Sequence, residues 1–233
     1  MNIDLTHRGT MLSVLARDPR DRTLGIALAS SSIAIGSRCP HLETEQAAIA
    51  SQGFTNLKVG PLALDLVRCG LTAAEVLEAL RQHDRWLEYR QIGILTADGQ
   101  IGAHTGSEAT GWAGHRIGDD LLCLGNGLAL GAAALDAVAE GFAGTPSAAL
   151  MADRLLIGLE SARRLLGDSF PINSASLLVR SPGAESQIDL RIDLPSRPIE
   201  DGGDALADLR RLYGEYLPLV DTYAARSVAP RAF

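Results

Sequence analysis

The chain has 233 residues, enough for one layered domain with a large core, and its 46% apolar and 21% charged residues exclude a disordered or low-complexity polymer. A net charge of −7 gives no electrostatic footprint for nucleic acid or anionic lipid, and no run reaches the ~20 apolar residues of a membrane span, so neither partner is expected. Three widely spaced cysteines, Cys39, Cys69 and Cys123, with no CxxC pair, and an N-terminus without an apolar signal core point to reduced thiols in a cytoplasmic protein.

Residues 1–9 show no period and read as an arm. From Thr10 the chain reads as a hairpin: Leu12, Val14 and Ala16 alternate with Ser13 and Leu15, Asp18-Pro19-Arg20-Asp21-Arg22 supplies the turn, and Leu24 to Ala29 run apolar on both faces. The second strand ends on Ser30-Ser31-Ser32, which either forms a polar pocket or closes the strand by local hydrogen bonding. A third strand covers Gln46 to Gln52 and runs into a polar turn, Gln52 to Asn56. A helix follows Gly60-Pro61 and stops at Gly70. The next helix starts at a T-x-x-E capping box, Thr72 and Glu75, stapled by Leu71 and Val76, and runs to about His83. Strands at 90–95 and 101–105 flank Ala97-Asp98-Gly99, and a second pair at 112–117 and 121–124 turns at Gly118-Asp119-Asp120. Gly125-Asn126-Gly127 is expected to open a helical segment through Ala132, Leu135 and Val138, and another helix to cover 147–166. Strands at 174–180 and 187–193 precede a last helix at 204–216, and the polar tail is expected to be loose. This gives a single domain at 10–217 between an arm at 1–9 and a tail at 218–233. Strand runs alternating with helix pairs, without βαβ units, argue for an α+β fold, a four-layer αββα sandwich of two antiparallel sheets between helical layers.

The polar candidates lie at strand ends that such a sandwich brings to one edge: Ser30, Ser31 and Ser32, Gln52 and Asn56, and Asn126. At a helix N-terminus, the N–H groups around Asn126 hold a carboxylate, phosphate or oxyanion, although the glycines equally suit a turn that needs positive φ. Asp18 either pairs with Arg17 or orients a nucleophile. Asp189, Arg191 and Asp193 share one strand face and are expected to pair with each other or with a neighbouring strand. His104, Glu108 and His115 lack compact metal-ligand spacing, so no metal is expected. Arg38 beside Cys39 raises an activated thiolate, with His41 as the one base nearby. Lys58 is the only lysine and sits in a polar turn with nothing to depress its pKa. No cofactor signature is present.

With these positions located, the chain resembles the family catalogued as a domain of unknown function, DUF1028, whose structure is N-terminal-nucleophile (Ntn) hydrolase-like. The residues that carry the resemblance are Ser13 to Asp18, Leu24 to Ala27, Ser30-Ser31-Ser32 through Gly36, Arg38-Cys39-Pro40, Ala50-Ser51-Gln52 with Asn56 and Gly60-Pro61, Tyr89-Arg90-Gln91, Thr105-Gly106, Gly125-Asn126, and Ile188 to Asp193. The resemblance implies a mechanism in which a first-residue Thr, Ser or Cys attacks a carbonyl with its own α-amine as base. Family members begin with Met-Thr directly before the first strand, and alignment on Ala16-Arg17-Asp18 puts Met11 where that threonine stands. Thr10 is one residue early, so this chemistry requires cleavage between Gly9 and Thr10. The candidate catalytic set is therefore Thr10, Ser32 as an internal nucleophile, and Asp18, acting on a small amide or related carbonyl compound. The alternative is a non-catalytic protein that holds a small polar ligand at the same edge or serves in assembly. A homo-oligomer is expected, through outer helices bearing Tyr213 and Tyr216 and through Trp112.

Overall fold

The computed structural model describes residues 9–183 and 187–230, so residues 1–8 of the expected arm lie outside the described residues. Among the described residues ten strands form two antiparallel sheets. The strands are β1 (Met11–Arg17), β2 (Leu24–Ser30), β3 (Pro40–Glu43), β4 (Ala47–Gly53), β5 (Arg90–Thr96), β6 (Ile101–Thr105), β7 (Ala113–Gly118), β8 (Leu121–Asn126), β9 (Ser174–Arg180) and β10 (Ile188–Ile192). The larger sheet has the order β10-β9-β2-β1-β8-β7 and the smaller β3-β4-β5-β6. Helices α1 (Val59–Arg68) and α2 (Ala73–His83) cover the smaller sheet. Helices α3 (Ala132–Gly144), α4 (Met151–Leu166) and α5 (Ala205–Tyr216) cover the larger. The layers are thus α, β, β, α.

Strand β1 sits centrally and is buried on both faces, and its alternation divides the core. Leu12, Val14 and Ala16 pack under α3 and α4 with Leu135, Val138, Leu155 and Leu159. Met11 and Leu15 face the second sheet, in one cluster with Ala48, Ala50 and Leu95. Truncating Leu15, fully buried there, to alanine would cost about 2–5 kcal/mol. The β1–β2 turn closes as its sequence suggests: Asp18 Oδ1 accepts from Arg20 N–H (2.9 Å), Asp21 Oδ1 accepts from Thr23 N–H (2.9 Å), and Arg22 takes φ 62°. Both halves of the capping box form at Thr72 and Glu75, and Asp204 caps α5 by accepting from Leu206 and Ala207 N–H.

The structure adds one strand to those expected and corrects two expectations. Residues 40–43 form an edge strand, β3, led by a proline that an edge tolerates because its missing N–H leaves no ladder bond unmade. The tail is not loose: after a short turn at Leu217–Leu219, α6 runs Val220–Val228, with Val220 buried and the rings of Tyr216 and Tyr223 6.1 Å apart. Asn126 does not open a helix. It is the last residue of β8, Gly127 follows at φ 66°, and α3 begins only at Ala132.

Candidate functional site

Strand register collects polar side chains at one end of the layer between the sheets. In the larger sheet Asn126, Met11, Ser30 and Ser174 form one row across β8, β1, β2 and β9. In the smaller sheet Gln52, Gln91 and Thr105 form a row across β4, β5 and β6. Hydrogen bonds between the rows place them face to face. Ser13 Oγ donates to Gln52 Oε1, and Gln52 Nε2 donates to Gln91 Oε1 (2.6 Å). Asn126 Nδ2 donates to the same Gln91 oxygen (3.2 Å). Gln91 Nε2 in turn lies 2.9 Å from Gly114 O, 3.0 Å from Gly125 O and 3.0 Å from Thr105 Oγ1. Ser13, Gln52 and Gln91 are fully buried and Asn126 nearly so. In so dry a place every unpaired amide would cost about 1–3 kcal/mol, which is why the carboxamides interlock.

The serine run closes the same end. Ser30 Oγ donates to Thr10 O (2.9 Å) and accepts from Ser32 N–H (3.0 Å). Ser31 Oγ accepts from Thr10 N–H (2.8 Å), and Ser174 Oγ donates to Ser32 O (2.6 Å). Ser30 and Ser31 thus pin the start of β1 to the end of β2. The Ser32 hydroxyl has no hydrogen-bond partner among the described residues, and it lies so close to Gly9 that a side chain there would overlap it.

Between these groups is a cavity of about 180 Å³, walled by residues that include Gly9, Met11, Ser30, Ser32, Arg38 and Asn126, with Phe54 and Thr110. Among the described residues Arg38 is the one charged residue in the wall, and no carboxylate joins it. Its Nη1 donates to Ile33 O (3.0 Å) and Ala34 O (2.8 Å), which leaves the remaining guanidinium N–H groups for a guest. Cys39 also borders the cavity, but burial pushes its thiol up, and neither the Thr55 hydrogen bond nor the Arg38 charge reverses this. Burial also holds His41 below the ordinary histidine value, against a backbone hydrogen bond involving Arg38. An activated thiolate at Cys39 has no support here.

Thr10 does not face the cavity. Met11 and Ser13 point between the sheets, so the alternation of β1 directs Thr10 to the other side, where its Oγ1 donates to Gly127 O (3.1 Å). Its nitrogen, with Gly9 attached, is a peptide N–H bound to Ser31. Asp18 stands at the opposite end of β1, roughly 25 Å away at ~3.3 Å per residue, and pairs with Arg20, while Arg17 pairs with Asp120. A larger hollow of about 560 Å³ lies beside Asp18, walled mostly by apolar groups such as Leu150, Met151 and Val220. Asn56 is spent on its turn, its Nδ2 donating to Asp84 Oδ2 (2.9 Å) and its Oδ1 accepting from Lys58 N–H (3.1 Å). Asp189 pairs with Arg180 on β9 and Asp193 with Arg191. His104 Nε2 bonds Leu87 O and His115 Nδ1 bonds Thr105 Oγ1, and among the described residues no set of three His, Cys, Asp or Glu converges. Of the expected site residues the structure therefore places Ser30, Ser32 and Asn126 in the wall of one cavity, sets Ser31 and Gln52 in the hydrogen-bond networks beside it, and leaves Asp18 and Asn56 elsewhere. Ser13, Gln91, Arg38 and Thr110 join the site without having been singled out as ligand groups.

A family model described as "Family of unknown function (DUF1028)" matches residues 11–202. The chain belongs to this family. The DUF1028 match opens at Met11, the β1 residue that reaches the cavity. Among solved structures the chain is similar to protein SPO2555 from Silicibacter pomeroyi, titled a DUF1028 protein, with 26% identity over 89% of this chain and 86% of that one and a TM-score of 0.79. It is also aligned with Anbu, the ancestral beta-subunit from Yersinia bercovieri, with 14% identity over 91% and 97% of the two chains and a TM-score of 0.40. No curated protein matches it. Among the described residues no helix is long and apolar enough to cross a membrane.

Proposed function

We propose that this DUF1028 protein binds a small polar molecule with a carboxylate or carbonyl group in the cavity at the polar end of the sandwich. The observation that carries this reading is the wall itself, in which Arg38 has no carboxylate beside it among the described residues and Asn126 and Ser32 offer polar atoms. Its volume of about 180 Å³ is below the ~300 Å³ at which drug-sized pockets begin, so a ligand of only a few heavy atoms is expected. Thermal-shift measurements with small carboxylates, amides and nucleotides test the reading. Small carboxylates or amides should raise Tm in the wild type and not in Asn126→Ala or Arg38→Ala, and a stabilisation that survives both substitutions would move the site elsewhere.

A second reading is an Ntn-type hydrolase acting on a small amide through Thr10. One observation favours it: Gly9 lines the cavity, so cutting Gly9–Thr10 would release an amine at its wall. Against it stands the orientation of the Thr10 side chain toward Gly127. Intact-mass measurement decides, since a chain that keeps residues 2–9 cannot use Thr10 in this way. A homo-oligomer in the cytoplasm completes the proposal, supported by exposed Trp112, Leu130 and Tyr223 and by cysteines that are all unpaired. Sedimentation at only 24.6 kDa would refute the oligomer.

A further inference from the structure

The interlocked carboxamides have a direction, and it ends at the cavity. Gly114 O and Gly125 O are backbone carbonyls that only accept, so the end of Gln91 that meets them must be its NH₂. The opposite end, Oε1, then requires donors, and both Gln52 and Asn126 must present their NH₂ groups to it. Gln52 consequently turns its oxygen to the Ser13 hydroxyl. Asn126 consequently keeps its oxygen away from Gln91. Among the described residues nothing donates to Asn126 Oδ1, that oxygen is not one of the fully enclosed unpaired atoms, and Asn126 lines the cavity. Turning the Asn126 amide over would set two oxygens about 3.2 Å apart in a dry site, with Nδ2 left without its acceptor.

We infer that the ligand carries an N–H or O–H donor beside its carboxylate or carbonyl group, that Asn126 Oδ1 receives this donor, and that Gln91 is the positioning residue which fixes Asn126 as an acceptor. This rests on the cavity reading above and narrows it. Among the described residues Arg38 supplies the only cation in the wall and suits the anionic or carbonyl end, while Asn126 discriminates between a ligand end that donates and one that only accepts. A simple carboxylate satisfies half of the site. A carboxylate that also bears a primary amide, a ureido group or a hydroxyl satisfies both halves.

Two probes that differ at one end separate the cases: malonamate, a carboxylate with a terminal amide, and monomethyl malonate, which replaces the amide NH₂ by a methoxy group and so has no donor and one more methyl. Calorimetric titration of the wild-type chain should give at least about tenfold tighter binding of malonamate. In Gln91→Met the Asn126 amide is free to rotate, and the preference should fall to within about twofold while monomethyl malonate still binds. Equal binding of the two probes by the wild type overturns the donor requirement. A preference that persists unchanged in Gln91→Met overturns the role of Gln91. Binding of neither probe by the wild type, with no shift in Tm, overturns the cavity reading and the inference with it. Should Gln91→Met fail to fold, hydrogen exchange on the wild type decides the role of Gln91: the Asn126 Nδ2 protons, held on Gln91 Oε1, should exchange slowly, and exchange at the rate of a solvated amide overturns the assignment.

Discussion

Replacing Gln91 with methionine removes one carboxamide from between the sheets and keeps a side chain of similar length. Five groups then lose a partner: Gln52 Nε2, Asn126 Nδ2, Gly114 O, Gly125 O and Thr105 Oγ1, the last keeping its bond to His115. Each buried group left unpaired costs about 1–3 kcal/mol, but Asn126 can turn toward cavity water and each carbonyl has a second lone pair. The stranded set reduces to the Gln52 amide and part of the carbonyl cost, and the methionine recovers about 1 kcal/mol of apolar burial. Gln91→Met should therefore lose about 2–4 kcal/mol and roughly 5–15 °C in Tm for a chain of this size. Urea unfolding followed by circular dichroism measures this as a lower midpoint at unchanged slope. Adding Gln52→Leu should cost less than the sum of the two single changes, because the stranded amide is then gone. A loss below ~0.5 kcal/mol, the scale of an inconsequential surface change, would refute the claim that these carboxamides depend on one another.

Other consequences concern the surroundings of the site. A methyl group at Gly60, in the first turn of α1, would overlap the His41 ring, so Gly60→Ala should destabilise by about 1–3 kcal/mol although alanine favours helix by ~1 kcal/mol. The same change in a His41→Ala background should stabilise, and additive losses in the two backgrounds would contradict the contact. Burial holds His41 and His115 below the ordinary histidine value of ~6.5, with His104 contributing at His115. A lowered folded-state pKa means that the unfolded chain takes up the proton first. The stability these groups give is thus complete above ~6.5 and declines as pH falls toward the folded-state values. Urea midpoints should drop between pH 7.5 and 5.5, with the drop reduced in His41→Leu, and a midpoint that rises on acidification would contradict this. For the thiols, Cys69 is exposed, burial pushes Cys39 up, and burial pushes Cys123 up to about 12, against the Arg116 charge. Alkylation of the native protein should modify Cys69 alone, and rapid loss of the Cys39 thiol would reopen that residue as a reactive group.

Much of the fold was legible because its signals are local. The Asp18–Thr23 turn, the Thr72–Glu75 box and the Asp204 cap each satisfy backbone groups within a few residues, and the sequence spacing displays them. The short edge strand β3 has four residues and opens on proline, which leaves too little period to read. Helix α6 buries only Val220 among its residues, so no apolar stripe announces it. Gly125-Asn126-Gly127 reads equally as a helix entry and as a strand exit, and only the pairing of Asn126 with Met11 and Ala113 decides for the strand.

The candidate site was half legible for a related reason. Ser30, Gln52 and Asn126 stand out because polar residues end apolar strands. Gln91 and Ser13 do not, since their partners lie 14 to 39 residues away, on neighbouring strands or across the gap between sheets. Thr10 was drawn in by its place in the order of the chain. The one-residue offset that puts Met11 in the family's threonine position also turns the Thr10 side chain off the cavity face, which no count of residue types reveals.

Titration of uniformly ¹⁵N-labelled protein with malonamate, followed residue by residue, tests the location of the ligand most directly. Binding at the polar end should move the signals of Ser30, Ser32, Arg38, Thr110 and Asn126 together and leave Asp18, Met151 and Val220 at the opposite hollow unmoved. Shifts confined to that hollow, or none at saturating malonamate, would contradict a binding site between the two polar rows.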